Sequence, residues 1–142
     1  MTYTPCKWVV YIAGPISKGD LGTHVRATVD VANRLQAAGV APIVPHLQSV
    51  LWWLINPPEQ AKCDGYAVWL PMDFAYIQRS DAVLRLPGES AGADQEVAFA
   101  ESIGVPVFYD VEALLEWLNK PWMYEPLTYR VGSTTPTSSG SI

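Results

Sequence analysis

Apolar positions along this chain switch repeatedly between two periods. Lys7-Trp8-Val9-Val10-Tyr11-Ile12-Ala13 is an almost unbroken apolar run that stops at Gly14-Pro15, the pattern of a strand buried on both faces of a sheet. After a turn-like stretch from Gly19, Val25, Val29, Ala32 and Leu35 fall on one helical stripe. Thr23 stands where an N-cap is expected, and Gly39 is placed to end the helix. Residues 40–44 predict a second strand, stopped by Pro45-His46, and a weaker helix over 47–54 precedes the loop Asn56-Pro57-Pro58. A helix over about 66–79, imperfect at Pro71, leads to a third strand at 82–86. The helix expected over 93–103 ends at Gly104, and residues 105–109 form a fourth strand. Asp110 then caps a last helix, with Val111, Leu114, Leu115 and Leu118 on one face, closed by Pro121.

Strands alternating with helices predict an α/β fold, a doubly wound and mostly parallel sheet of four to five strands in a single domain. That domain is expected to span 1–130. Residues 131–142 are rich in Ser, Thr and Gly and are expected to form a flexible tail. In such sheets ligands bind outside the carboxyl ends of the strands, where the strand order reverses. The turn after the first strand, Gly14 to Gly19, and the turn after the third, Pro87 to Gly92, would face each other there.

Composition narrows the function classes. The 142 residues are 49% hydrophobic with a net charge of −5, which argues against disorder and against a protein that grips a nucleic-acid polymer. A single mononucleotide, needing only a local cradle, is compatible with that balance. The two cysteines, Cys6 and Cys63, are too few for a disulfide framework and lack metal-ligand spacing, so free thiols in a cytoplasmic protein are expected. The long uncharged stretch at 35–58 is broken by Gly39, Pro42, Pro45 and His46 and is not continuously apolar, and neither a membrane nor a metal or organic cofactor is expected.

The candidate chemistry centres on Leu86-Pro87-Gly88-Glu89-Ser90-Ala91-Gly92-Ala93-Asp94-Gln95-Glu96. A strand, a small-residue turn and a helix start make an anion cradle, because free N–H groups and the positive end of the helix dipole point into the turn. Glu96 lies about one turn inside that helix. It is either a carboxylate complementing the dipole or a group that acts on whatever the cradle holds. Cleaving an N-glycosidic bond calls for a carboxylate near the anomeric carbon and a second acid for the departing base. Glu96 is the candidate nucleophile, Asp73 the candidate acid or base-orienting group, and Tyr11, near the end of the first strand, either a core residue or the group that positions Glu96 or the sugar. Ser17 and Lys18 are candidate phosphate donors. His46 is read first as a capping or packing residue, and Asp81 as a structural group bonding a nearby backbone N–H. Trp52, Trp53 and Trp69 are either base-stacking surfaces or fillers of cores and subunit contacts.

Val10-Tyr11-Ile12-Ala13-Gly14-Pro15, Asp73, and Ser90-x-Gly92-x-x-x-Glu96 together resemble the nucleoside 2-deoxyribosyltransferase-like superfamily, across most of the stretch from Val9 to Val107. The resemblance implies a Rossmann/flavodoxin-like sheet and a covalent glycosyl intermediate on Glu96. It also implies Tyr11 beside that Glu, Asp73 near the base, and a homodimer or higher homo-oligomer. Ser90, six positions before Glu96, matches the branch that hydrolyses 2'-deoxynucleoside 5'-monophosphates; the base-exchanging transferases carry an Asp there. A neutral hydroxyl suits a dianionic phosphate where an Asp would repel it. The expected substrate-binding set is therefore Gly14, Pro15, Ser17, Lys18, His46, Ser90 and Gly92. That hydrolase branch often has an Arg in the Gly14–Lys18 loop, which this chain lacks, and Glu89 adds a discordant charge beside Ser90. Base exchange between nucleosides, a phosphoribohydrolase with a Pro-Gly-Gly loop, and a non-catalytic nucleotide-binding module are the competing readings. The second Gly and the Thr of that loop are missing here.

Overall fold

The computed structural model describes residues 2–120, so the expected tail at 131–142 and Pro121 lie outside the described residues. Within them four strands and six helices alternate: β1 (Trp8–Ala13), α1 (Leu21–Ala37), β2 (Val40–Ile43), α2 (Pro45–Ile55), α3 (Glu59–Cys63), α4 (Gly65–Gln78), β3 (Ala82–Arg85), α5 (Ala91–Ser102), β4 (Val107–Phe108) and α6 (Val111–Leu118). The sheet is parallel throughout, in the order β2-β1-β3-β4. From β1 the chain first winds outward to β2, then returns to the other side of β1 to lay down β3. The strand order therefore reverses between β1 and β3, and their carboxyl ends open the crevice expected of a doubly wound sheet.

The two-residue alternation of β1 builds both cores. Trp8, Val10 and Ile12 face Leu35 of α1 and Leu114 and Leu118 of α6. Tyr11 and Ala13 face the opposite way with Val83, against Ile77 of α4 and Ala93 and Ala100 of α5. This second layer carries the candidate chemistry. Asp81, almost wholly buried, accepts a 2.8 Å hydrogen bond from Val9 N through Oδ2, while its own N–H donates to Val9 O, also at 2.8 Å. It fastens the start of β3 to β1, the structural role expected for it.

The helix starts differ from expectation in ways that capping explains. Asp20, not Thr23, is the N-cap of α1, and its carboxylate accepts from Thr23 N at 2.7 Å and Thr23 Oγ1 at 2.6 Å. Thr23 is thus inside the first turn. Pro45 opens α2 rather than merely stopping β2, since a missing N–H costs nothing at the first helical position. The short α3 was not foreseen between Pro58 and Asp64. Pro71 sits within α4 without ending it. Strand β4 is two residues rather than five, and β3 ends at Arg85.

Replacing Asp81 by Ala leaves the part-buried Val9 N–H without this acceptor. Denaturant titration should show a loss of about 1–3 kcal/mol, and a loss below 0.5 kcal/mol would remove Asp81 from its role as the β1–β3 tie.

Candidate active site

Three polar groups meet where β1, α4 and α5 converge above the second core layer. The Tyr11 side chain rises from β1, and its hydroxyl donates to Glu96 Oε1 at 3.0 Å. Glu96, in the second turn of α5, is only 8% exposed, and Asp73 of α4 only 6%. The helices put them there by simple spacing. Ala93, Glu96 and Ala100 are the buried positions of α5, one stripe at three- and four-residue intervals, and Asp73 and Ile77 form the buried stripe of α4.

Burial dominates the electrostatics of this trio. It pushes the Glu96 carboxyl up to about 8, the neighbouring Asp73 charge adds to the rise, and the Tyr11 hydroxyl and the Arg85 guanidinium oppose it. Asp73 is pushed up to about 6, again by burial, against hydrogen bonding from Glu96 and Tyr11. The Tyr11 phenol is raised far above its usual range by burial and by both carboxyls, so it stays protonated and donates. Near neutral pH the two carboxyls therefore hold about one proton between them.

A cavity of about 320 Å³ opens onto the pair. Gly14, Ser17, Asp73, Ser90, Gly92 and Glu96 of the expected set line it, with Tyr11 behind Glu96. Ile16, Ser49, Gly65, Tyr66, Trp69, Leu70 and Ala93 complete the wall. Tyr66, Trp69, Leu70 and Asp73 form a stripe legible in the α4 sequence. Trp52 meets Trp69 edge-on, with ring centroids 5.4 Å apart. Ser49 gave no signal in sequence. The floor is tight: a Cβ on Gly92 would lie 3.2 Å from Tyr66 Cε1, so the Tyr66 ring would have to give by a few tenths of an ångström to admit one. Among the described residues no Lys or Arg lines the cavity.

The remaining expected residues stand around the cavity rather than in its wall. His46 Nε2 donates to Pro15 O at 2.9 Å, and burial holds its imidazole below the ordinary range, hence neutral. Its Nδ1 is buried with no hydrogen-bond partner among the described residues. Pro15 packs against Gly88, where a Cβ would come within 2.8 Å of Pro15 Cγ and φ is +119°, so only glycine fits. Lys18 pairs with Glu89, joining the two loops at the rim, and His24 donates to Lys18 O from the side. Ser90 is the N-cap of α5, its hydroxyl oxygen accepting from Ala93 N at 3.1 Å. That leaves the N–H groups of Ala91 and Gly92 without intrahelical acceptors, facing the cavity end of the helix. Arg85, which sequence reasoning passed over, is buried behind the loop and donates to Leu86 O, to Gly88 O at 2.9 Å and to Asp94 Oδ1 at 3.0 Å.

A larger cavity, of about 480 Å³, lies on the far side of α5 and contains neither Glu96 nor Asp73. Among the described residues no three His, Cys, Asp or Glu side chains cluster as a metal site, Cys6 and Cys63 are free and exposed, and no helix is long and apolar enough to cross a membrane.

No curated protein matches the chain. The model of a family described as a domain of unknown function, DUF4406, matches residues 8–109, the span from β1 to just beyond β4 that contains every residue of the cavity. The chain belongs to the DUF4406 family.

Proposed function

We propose that this protein hydrolyses the N-glycosidic bond of a nucleoside 5'-monophosphate, ribo or 2'-deoxyribo, releasing free base and sugar phosphate. The observation that carries the reading is the buried pair of Glu96 and Asp73, with Tyr11 bonded to Glu96, in a cavity at the switch point of the sheet. Two carboxyls with one proton are the charge state this reaction needs. The higher value puts the resting proton on Glu96, so the reaction runs through the minor arrangement in which the shared proton has moved to Asp73: the Glu96 carboxylate attacks the anomeric carbon while Asp73 protonates the leaving base. Water then cleaves the glycosyl ester, with Asp73 as base. Tyr11 fixes the carboxylate that attacks. Ser17, Ser90 and the open N–H groups of α5 would hold the phosphate, and Trp69 and Tyr66 offer the base an aromatic wall. The resemblance of these motifs to the nucleoside 2-deoxyribosyltransferase-like superfamily supports the same chemistry.

Base exchange on a neutral nucleoside is the second reading, favoured by one observation: among the described residues no cation lines the cavity, and Lys18 is already engaged by Glu89. We read the protein as a homo-oligomer, because the charge-free helix α2 exposes Leu51, Trp53, Leu54 and Ile55 together, a patch that a second copy would cover.

Chromatographic detection of free base from each nucleoside and its 5'-monophosphate, with and without an acceptor base, tests the reading. Glu96→Gln should lower turnover by roughly three orders of magnitude while still binding nucleotide. A fall of less than tenfold would leave a binding module as the better account. Both carboxyls are raised in the folded state, so their contribution to stability falls as pH climbs from the ordinary carboxylate range to about 8. Glu96→Gln should accordingly melt higher than wild type at pH 8, by on the order of 5 °C, and nearly equal to it at pH 4. The lost activity is then not lost folding.

The rate should follow a bell in pH, with limbs near 6 and 8 where the pair gains its second proton and loses its last. A plateau extending to pH 10 would show that no acid is required. Ser90→Asp retains a good N-cap and adds a negative charge to the cradle. It should depress kcat/KM for the monophosphate at least about tenfold more than for the nucleoside. An equal loss on both substrates would refute the phosphate assignment.

A further inference from the structure

We propose that Arg85 is the positioning residue of this site: its guanidinium, buried at the end of β3, fastens the Leu86–Gly88 backbone to the first turn of α5 and so fixes where Glu96 stands. The inference rests on the catalytic reading above and adds a residue that neither the motif nor the cavity wall contains.

Arg85 occupies a position where the pattern of the sheet calls for an apolar side chain. It pairs in register with Ala13 and shares a sheet face with Val83 and Tyr11, the face covered by α4 and α5. Yet it is an arginine and only 8% exposed. A buried guanidinium is tolerated only when its donors are satisfied. Nη1 donates to Leu86 O, and Nη2 donates to both Gly88 O and Asp94 Oδ1.

Asp94 is not the reason for this burial. Its side chain is 71% exposed, and pairing with it alone would leave Arg85 better solvated outside. The other two acceptors are carbonyls of the turn itself, Leu86 O and Gly88 O, each in a part-buried hydrogen bond. Gly88, with its positive φ, lies between Pro15 on one side and the guanidinium on the other.

The space behind the loop explains why this fastening is needed. The 480 Å³ depression is open to solvent and has Arg85, Leu86, Gly88 and Asp94 in its wall, so on that side the loop meets solvent and no packed core holds it. Hydrogen bonds from Arg85 replace that packing. The planar fork reaches three acceptors at once, which a lysine ammonium on a single stem does not match. Arg85 also contributes the positive charge that acts on Glu96. The other groups facing Glu96 are Tyr11 from β1 and Asp73 from α4, while Asp94 on its own helix points outward.

Arg85→Lys and Arg85→Met separate the fork from the charge. Arg85→Lys keeps the charge and loses the fork, so kcat should fall about 10- to 100-fold with KM changed less than about threefold, and the pH bell should keep its place. Arg85→Met should lower kcat similarly and also move the bell to higher pH, since the opposing charge is gone. Two readouts are independent of turnover: amide hydrogen exchange over residues 86–94, and titration of the Glu96 carboxyl followed by carbon-13 NMR. Exchange should quicken in both variants, and the Glu96 titration should rise in Arg85→Met alone.

Unchanged loop exchange with an unchanged Glu96 titration would overturn the proposal, as would equal titrations in the Lys and Met variants. If Arg85→Met does not fold, loop exchange and the kcat-against-KM split in Arg85→Lys still decide it. If wild type releases no base from any substrate, the catalytic reading fails, and the exchange and titration results judge Arg85 separately.

Discussion

Everything at the crevice depends on keeping two carboxyl groups out of water side by side. A buried carboxylate is costly, and two adjacent ones cannot both stay ionised near neutral pH. The fold meets the constraint with one proton on the pair and one phenol beside it. Tyr11 is wholly buried in β1, so its hydroxyl arrives at Glu96 with almost no freedom. The sheet register, the α4 stripe and the α5 stripe must therefore all be right before the pair exists. A slip of one residue in β1 would turn Tyr11 into the opposite core.

The crevice is formed by two loops that close onto each other. Pro15 on Gly88 and Lys18 with Glu89 join the β1–α1 turn to the β3–α5 turn, while His46 and His24 hold carbonyls of the first turn from the side. Both histidines of the chain are used in this way. Glycine is required at Gly88 by backbone conformation as well as space, and at Gly92 it lets Tyr66 approach closely. The small residues that made the segment conspicuous in sequence thus serve the closeness of the elements as much as any ligand.

The fold was legible because its signals are local and repeated. The buried β1 run, the stripe ending at Gly39 and the turn before α5 each follow from period and punctuation. The pairing of Asp81 with Val9, 72 residues away, was anticipated only in kind. What escaped was what depends on three-dimensional neighbours. Asp20 displaced Thr23 as a cap because the helix starts one turn earlier, and α3 is too short to show a period. Ser49 reaches the cavity from α2 without any pattern in its own helix. Arg85 looks in sequence like a break in a strand, and its purpose appears only when Leu86 O and Gly88 O are seen folded back onto it.

Among the described residues, a cavity wall without Lys or Arg and a pair of raised carboxyls are two aspects of one arrangement. A cation placed against Glu96 would hold it ionised, pull the pair apart in pH and remove the shared proton. Positive potential for an anion must then come from groups that do not pair with carboxylates: the open N–H groups at the start of α5, and hydroxyls such as Ser17 and Ser90. Arg85 fits the same logic. Its charge is spent mostly on loop carbonyls and Asp94, so it tempers Glu96 from behind without forming an ion pair with it. Lys18 is likewise kept at the rim by Glu89, one remove from the carboxyl pair. Charge is thus held behind the loop and at its edge, and dipoles face the cavity, which lets an acidic pair and an anion cradle share one crevice.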